Sequence, residues 1–159
     1  MNALLHLLKQ NARLSNETLA MMLDTTPEAV AEQIAQLERD GVIKGYSLIL
    51  NDEIVNKDRV SAFIELKVTP KRDCGFEDLA KTVMMYDEVE SVSLMSGAYD
   101  LAVTVTGDSL KDIALFVAQR LSTIDGVLST ATHFVLKRYK EMGIFVAEDA
   151  VDERSMVSP

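Results

Sequence analysis

Two stretches of the chain carry residue types that could do chemistry. The first is "SGAYD", Ser96, Gly97, Ala98, Tyr99 and Asp100. A turn of backbone N–H groups can hold a carboxylate, and an acid such as Asp100 can hold an ammonium. Together they suit the two ends of an α-amino acid. A structural reading accounts for the same residues: Gly97 supplies a positive φ in a hairpin turn, and Asp100 bonds to nearby backbone N–H groups. The second stretch is "TTPEAVAEQIAQLERDGVI", residues 25–43. It reads like the second helix of a helix-turn-helix, the helix that lies in a DNA groove. Yet from Thr25 to Gly41 it holds Glu28, Glu32, Glu38 and Asp40 against a single base, Arg39.

Such a helix still has the means to read bases. Gln33 and Gln36 can pair with adenine edges, and Glu28 or Glu32 can accept from cytosine N4. Thr26 and Pro27 open the helix, whose free N–H groups can donate to a phosphate. Lys44 and Arg13, together with Lys9, lie on elements that could flank the groove. With so few bases, each such module binds double-stranded DNA weakly. Joining several modules raises avidity by about 10²–10⁴ where geometry allows simultaneous contact.

The elements that must position these residues divide near residue 58. In the first part, residues 1–58, Leu4, Leu5, Leu7 and Leu8 stripe a helix that ends near "NARLS". Ser15 can cap the next helix, with Leu19, Ala20 and Leu23 as its buried face. A third helix starts at Thr26–Pro27, or one residue earlier through a Thr25/Glu28 capping box. Val30, Ile34 and Leu37 share one of its faces, and Gly41 ends it. "VIKGYSLIL" is strand-like, so the arrangement is a winged helix-turn-helix.

In residues 59–142 the period changes. Val60, Ala62, Ile64, Leu66 and Val68 alternate as a strand does. "TPKRDCG" is a loop, and Phe76, Leu79, Ala80, Val83 and Met84 then recur at helical spacing. "VESVSLM" and "DLAVTV" are strands around the "SGAY" turn. Leu110, Ile113, Ala114, Val117 and Leu121 form a helical stripe, and "GVLSTATHFVLKRY" is a last strand. The order β-α-β-β-α-β is the ferredoxin-like plan, an α+β fold. Both helices then cover one sheet face. The other face, carrying Phe63 and Val135 among more polar residues, is a natural dimer surface. Residues 143–159 form an acidic tail, with Glu148, Asp149, Asp152 and Glu153 against Arg154.

Composition excludes several classes. The formal charge of −9 argues against broad, non-specific polyanion binding. No apolar run is long enough to span a bilayer. The N-terminus lacks the pattern of a signal peptide, so a cytoplasmic protein without membrane partners is expected. Cys74 is the only cysteine and reads as a bystander in a turn. His6 and His133 are far apart, and no phosphate-binding, dinucleotide-binding or metalloprotease motif is present. No catalytic residues, metal or cofactor are expected. His6, among leucines, reads as a helix-surface residue, and the methionines, among them Met21, Met22, Met84 and Met85, as fillers of packing gaps.

The stretches "LLKQNARLS", "LAMML", "TPEAVAEQIAQLERDGVIKGY", "MSGAYDLAVTV" and "GVLSTATHFVLK", in this order and spacing, resemble the Lrp/AsnC (feast/famine) family. They cover nearly all of residues 4–137. The resemblance implies a transcription factor that dimerises through the C-terminal sheet and assembles further into tetramers or octamers. It also implies amino-acid sensing between dimers, in a cleft near "SGAYD" and near "STATH". There Thr130, Thr132 and His133 would supply hydroxyl and imidazole partners. The chain departs from the family in the scarcity of bases on its third helix. That leaves a rival expectation: an amino-acid-sensing oligomer that has lost DNA binding.

Overall fold

A strand through Val60, Ala62, Ile64, Leu66 and Val68 must bury one side, because successive side chains point to opposite faces. The computed structural model describes residues 2–69 and 75–147, apart from the Glu53 side chain. In it, strand β1 spans Val60–Val68, with Ala62, Ile64, Leu66 and Val68 buried. Strands β2 (Val89–Leu94), β3 (Leu101–Gly107) and β4 (Val127–Phe134) complete an antiparallel sheet in the order β2-β3-β1-β4. Helices α5 (Phe76–Val83) and α6 (Leu110–Phe116) cover one face of it. From them Leu79, Val83, Ile113 and Phe116 join Ile64, Leu66, Leu101, Val103 and Val105 in one buried cluster. This is the expected ferredoxin-like plan. Each such side chain contributes about 1.5–3 kcal/mol by leaving water, so the cluster dominates the unit.

The strand register fixes what the other face displays. Phe63 lies opposite Thr104 on β3 and His133 on β4, and Glu65 lies opposite Ala102 and Ala131. The face not covered by helices is therefore mostly small, hydroxylated or aromatic.

In the N-terminal residues, α1 (Ala3–Gln10), α2 (Asn16–Leu23) and α3 (Pro27–Arg39) pack through Leu4, Leu8, Leu19, Ala20 and Val30. Ile34 and Leu37 are partly buried against the same cluster. Ser15 caps α2 through its side chain, as its position implies. Asp24 closes α2 in a left-handed conformation, φ 53°, which a short polar side chain tolerates. The chain divides into two compact units between Leu48 and Ile49.

Several expectations need correction. "VIKGYSLIL" forms no strand: residues 43–51 have no regular secondary structure, and Val42, Tyr46, Leu48 and Leu50 are exposed. A strand exists only where a neighbour takes its hydrogen bonds, and among the described residues none does. Instead a short helix, α4 (Asp52–Val55), follows. The last strand stops at Phe134, and the chain beyond it makes a small hairpin, β5 (Lys140–Glu141) with β6 (Ile144–Phe145).

The stripe on α6 is also shifted. Leu110 and Ala114 are exposed, and Phe116 is buried in their stead, edge-on to Tyr86 at 5.4 Å. A large ring gains more from burial than alanine does. After α6 the chain continues as a π turn, Val117–Leu121.

Met21, Met22, Met84 and Met85 are all exposed and fill no core gap. Leu19, Ala20 and Leu23 already occupy the inward face of α2, and Met84 and Met85 lie past the last residue of α5. Cys74 and residues 148–159 of the expected tail lie outside the described residues.

Candidate functional sites

Helix α3 begins with Thr26, whose hydroxyl oxygen accepts from the Ala29 N–H at 3.2 Å, and Pro27 occupies the first turn. That cap leaves the Thr26 hydroxyl proton available to a phosphate oxygen. Glu28, Glu32, Gln33 and Gln36 are all exposed on the solvent side of the helix. Gln36 is occupied at both ends of its amide. Its Nε2 donates to Asp40 Oδ1 at 2.7 Å, and its Oε1 accepts from Arg39 Nη2 at 2.6 Å. Reading an adenine edge with Gln36 therefore means exchanging these bonds, and the only base on the helix is tied to the same amide.

Gly41 ends α3 at φ +67°, and Lys44 folds back over it. A Cβ on Gly41 would come within 2.7 Å of Lys44 Nζ. The ammonium thus sits at the C-terminal end of α3, where the helix dipole favours a cation. Tyr46 donates its hydroxyl proton to Glu38 Oε1 at 3.0 Å, a bond the sequence did not suggest. Desolvation first, then this hydrogen bond and the Glu38 charge, push the Tyr46 pKa up.

In the second unit the β2–β3 loop closes through Met95 N–H, which donates to Asp100 O at 2.8 Å. Ser96, Gly97 and Ala98 are exposed on it, with Gly97 at φ +153°. Asp100 is anchored twice to β1. Its own N–H donates to Leu66 O at 2.9 Å, and its Oδ2 accepts from Val68 N–H at 2.8 Å. That second bond falls where the β1–β4 register shifts, between Lys67 and Val68. One carboxylate oxygen thus serves the backbone, as the structural reading of this turn requires.

Tyr99 packs edge-on against Phe63, centroids 6.0 Å apart, and Phe63 lies 6.1 Å from the His133 ring. His133 Nε2 stands 3.3 Å from Glu65 Oε1. Tyr99, Phe63, His133 and Glu65 therefore meet on the open sheet face. Thr130 and Thr132 do not join them. They pair with Leu66 and Ile64 and so belong to the helix-covered side, and Thr130 Oγ1 lies 3.5 Å from Ser122 Oγ. Strand alternation separates residues that are adjacent in sequence. Glu65 as the partner of His133 was not foreseen. Its out-of-phase position in β1 was legible, but the β1–β4 register that brings it to His133 was not. His6 is exposed, 3.0 Å from Gln10 Nε2, as expected of a helix-surface residue. Among the described residues no cluster of three or more acids, histidines or cysteines is placed to hold a metal.

The pattern of the Lrp/AsnC ligand binding domain matches residues 61–145, and that of a winged helix-turn-helix DNA-binding domain matches residues 2–44. The chain belongs to the Lrp/AsnC family. It is a transcriptional regulator, not an enzyme, with a DNA-binding helix-turn-helix and a ligand-binding domain. The HTH-type transcriptional regulator YugG of Bacillus subtilis is 43% identical over 157 residues, 98% of this chain and 95% of that protein. The leucine-responsive regulatory protein of Escherichia coli is 25% identical over 138 residues, 87% of this chain and 84% of that one. Among solved structures, a transcriptional regulator from Neisseria meningitidis in complex with L-Met superimposes with a TM-score of 0.72. It is 29% identical, covering 87% of this chain and 88% of that one.

Proposed function

We propose that this regulator reads DNA with residues 1–58 and senses a small amino acid or related metabolite with residues 59–142, as a homodimer that assembles into tetramers or octamers. The protein works in the cytoplasm. No helix among the described residues is long and apolar enough to cross a membrane. Thr26, Pro27, Glu28, Glu32, Gln33, Gln36 and Lys44 make the DNA contacts. Support for this reading comes from α3, which keeps its polar face toward solvent while Val30, Ile34 and Leu37 hold the helix to its unit.

The effector site consists of Ser96, Gly97, Ala98, Tyr99 and Asp100 with Thr130, Thr132 and His133. Supporting it is the exposed loop 96–98 beside a partly exposed carboxylate, a pairing of donors and acid that suits an amino acid. The Neisseria relative solved with L-Met supports the ligand class. Thr130 and Thr132 lie on the helix-covered side of β4, opposite His133, so on this geometry the loop 96–100 and His133 are the part of the set that share the open face.

Two measurements test the reading. Titration of the purified protein onto duplex DNA at low and moderate salt should give specific binding with a shallow salt slope. Calorimetry against a panel of amino acids should find a ligand. A second reading, a sensor that has lost DNA binding, draws on the Arg39–Gln36–Asp40 chain, which occupies the reading face of α3. Absence of DNA binding at low salt decides for it.

A further inference from the structure

The chain carries a formal charge of −9, yet four of its bases gather around one concavity of the second unit. A cavity of about 170 Å³ opens among Asn56, Lys57, Arg59, Lys137 and Arg138, with Asp52 the one acid on its wall. Three stretches build it: α4 with the turn after it, the start of β1, and the chain that follows β4. The last two are fastened together by Val135 N–H, which donates to Ser61 O at 2.9 Å.

Arg59 and Arg138 are held, but not used up. Arg59 spends Nη2 on Glu90 at 2.9 Å and on Thr106 Oγ1 at 2.8 Å. Arg138 spends Nε on Glu141 at 3.4 Å. A guanidinium has five N–H donors, so each keeps others, and the carboxylates act as braces that fix the fork. Lys57 is exposed and has no salt bridge within the described residues. The volume has room for about five water molecules. A tetrahedral oxyanion fits it. Several cationic side chains lining one cavity match a phosphate, which offers three or more acceptor oxygens and up to two charges.

We propose that this cavity binds a phosphate group through Lys57, Arg59 and Arg138. None of these residues belongs to α3 or to the "SGAYD" loop. Two sources present the same chemistry, the backbone of DNA and a free phosphorylated small molecule. The scarcity of bases on α3 gives the first source a physical role, because phosphate contacts position a protein on DNA without carrying sequence.

The test uses the full chain, with inorganic pyrophosphate as the probe in calorimetry. Wild type is compared with the double variant Lys57→Gln/Arg138→Gln and with Lys57→Arg/Arg138→Lys, which keeps the charge. Lys111→Gln, on the exposed side of α6, controls for net charge. Circular dichroism and sedimentation check that each is folded and assembled. The single variant Lys57→Gln, at an exposed position, repeats the comparison if the double variant is not folded. Pyrophosphate should bind wild type, bind the charge-keeping pair similarly, and bind the neutralised variant about tenfold more weakly or worse. A parallel series measures duplex DNA affinity against salt. If DNA is the source, removing the charges makes the slope shallower by about 0.9 for each phosphate that is no longer neutralised. An unchanged slope together with weakened pyrophosphate binding assigns the site to a small phosphorylated ligand. The proposal is overturned if wild type and the neutralised variant agree in both series, or if Lys111→Gln weakens binding as much as the cavity substitutions do.

Discussion

The Asp100 carboxylate and the Val68 backbone N–H form a hydrogen bond of 2.8 Å between the β2–β3 loop and the end of β1. Asp100 therefore has two duties in the proposed reading, one to the fold and one to the effector. Both follow from its place beside the strand register shift.

Substitution can separate those duties. Asp100→Ala leaves the partly buried Val68 N–H unpaired, which costs about 1–3 kcal/mol. It should lower the melting temperature and abolish effector binding together. Asp100→Asn retains an oxygen that can accept from Val68 but loses the charge. We expect near-native melting with effector binding greatly weakened, measured by calorimetry with the amino acid that binds wild type. If Asp100→Asn binds it as well as wild type does, Asp100 is a turn residue only.

On the DNA side the outcome turns on which groups are already engaged. Lys44→Gln should weaken all duplexes alike and reduce the salt slope by about 0.9, the amount for one phosphate. Gln36→Ala removes a candidate adenine partner and frees Arg39 from its 2.6 Å bond. It should relax sequence preference at one base pair, by about 1–3 kcal/mol, while non-specific affinity holds or rises. Selection of binding sites from a random pool, repeated with each variant, reads both effects. An unchanged consensus for Gln36→Ala removes it from the reading face.

The same residues mark how far the fold was legible in the sequence. Alternation from Val60 to Val68 announced a one-sided strand, and Ser15, Thr26, Pro27 and Gly41 announced helix ends, because those signals are local. The missing strand in "VIKGYSLIL" shows the limit: its residues suit a strand, but pairing is a property of two segments. Register is likewise non-local, so neither the His133–Glu65 pair nor the separation of His133 from Thr130 and Thr132 could be read in advance. The Arg39–Gln36–Asp40 chain lies within one helix at spacings of three and four residues, so it was legible in principle.

Tyr46 gives a prediction about pH. Its folded pKa is raised, by desolvation first and by Glu38 next. A group whose folded pKa lies above its unfolded value contributes stability that is complete below the unfolded value. That contribution is lost as pH rises through the folded pKa. For a tyrosine the loss begins near about pH 10. Tyr46→Phe lacks the proton and the bond, so it should be slightly less stable than wild type near neutrality and converge with it in strong alkali. Chemical denaturation of both proteins across that range checks this. A constant difference at every pH shows that the Tyr46–Glu38 bond contributes nothing.

The last prediction concerns the open sheet face. Phe63 sits at its centre, partly exposed, between Tyr99 and His133. Its side chain points away from the helix-covered core, so Phe63→Asp should leave the unit folded. On a face that meets a second copy, the same change buries an unpaired carboxylate, a loss of several kcal/mol from each side of the interface. The wild type should sediment as a dimer or larger assembly, and Phe63→Asp as a monomer with an unchanged circular dichroism spectrum. Lys111→Asp, on the exposed side of α6, introduces an acid off this face and should leave the assembly intact. Should Phe63→Asp still sediment with the wild type, the sheet face is not what holds the assembly together. A second copy would then have to meet the protein elsewhere, and the exposed Val42, Tyr46, Leu48 and Leu50 become the residues to substitute next.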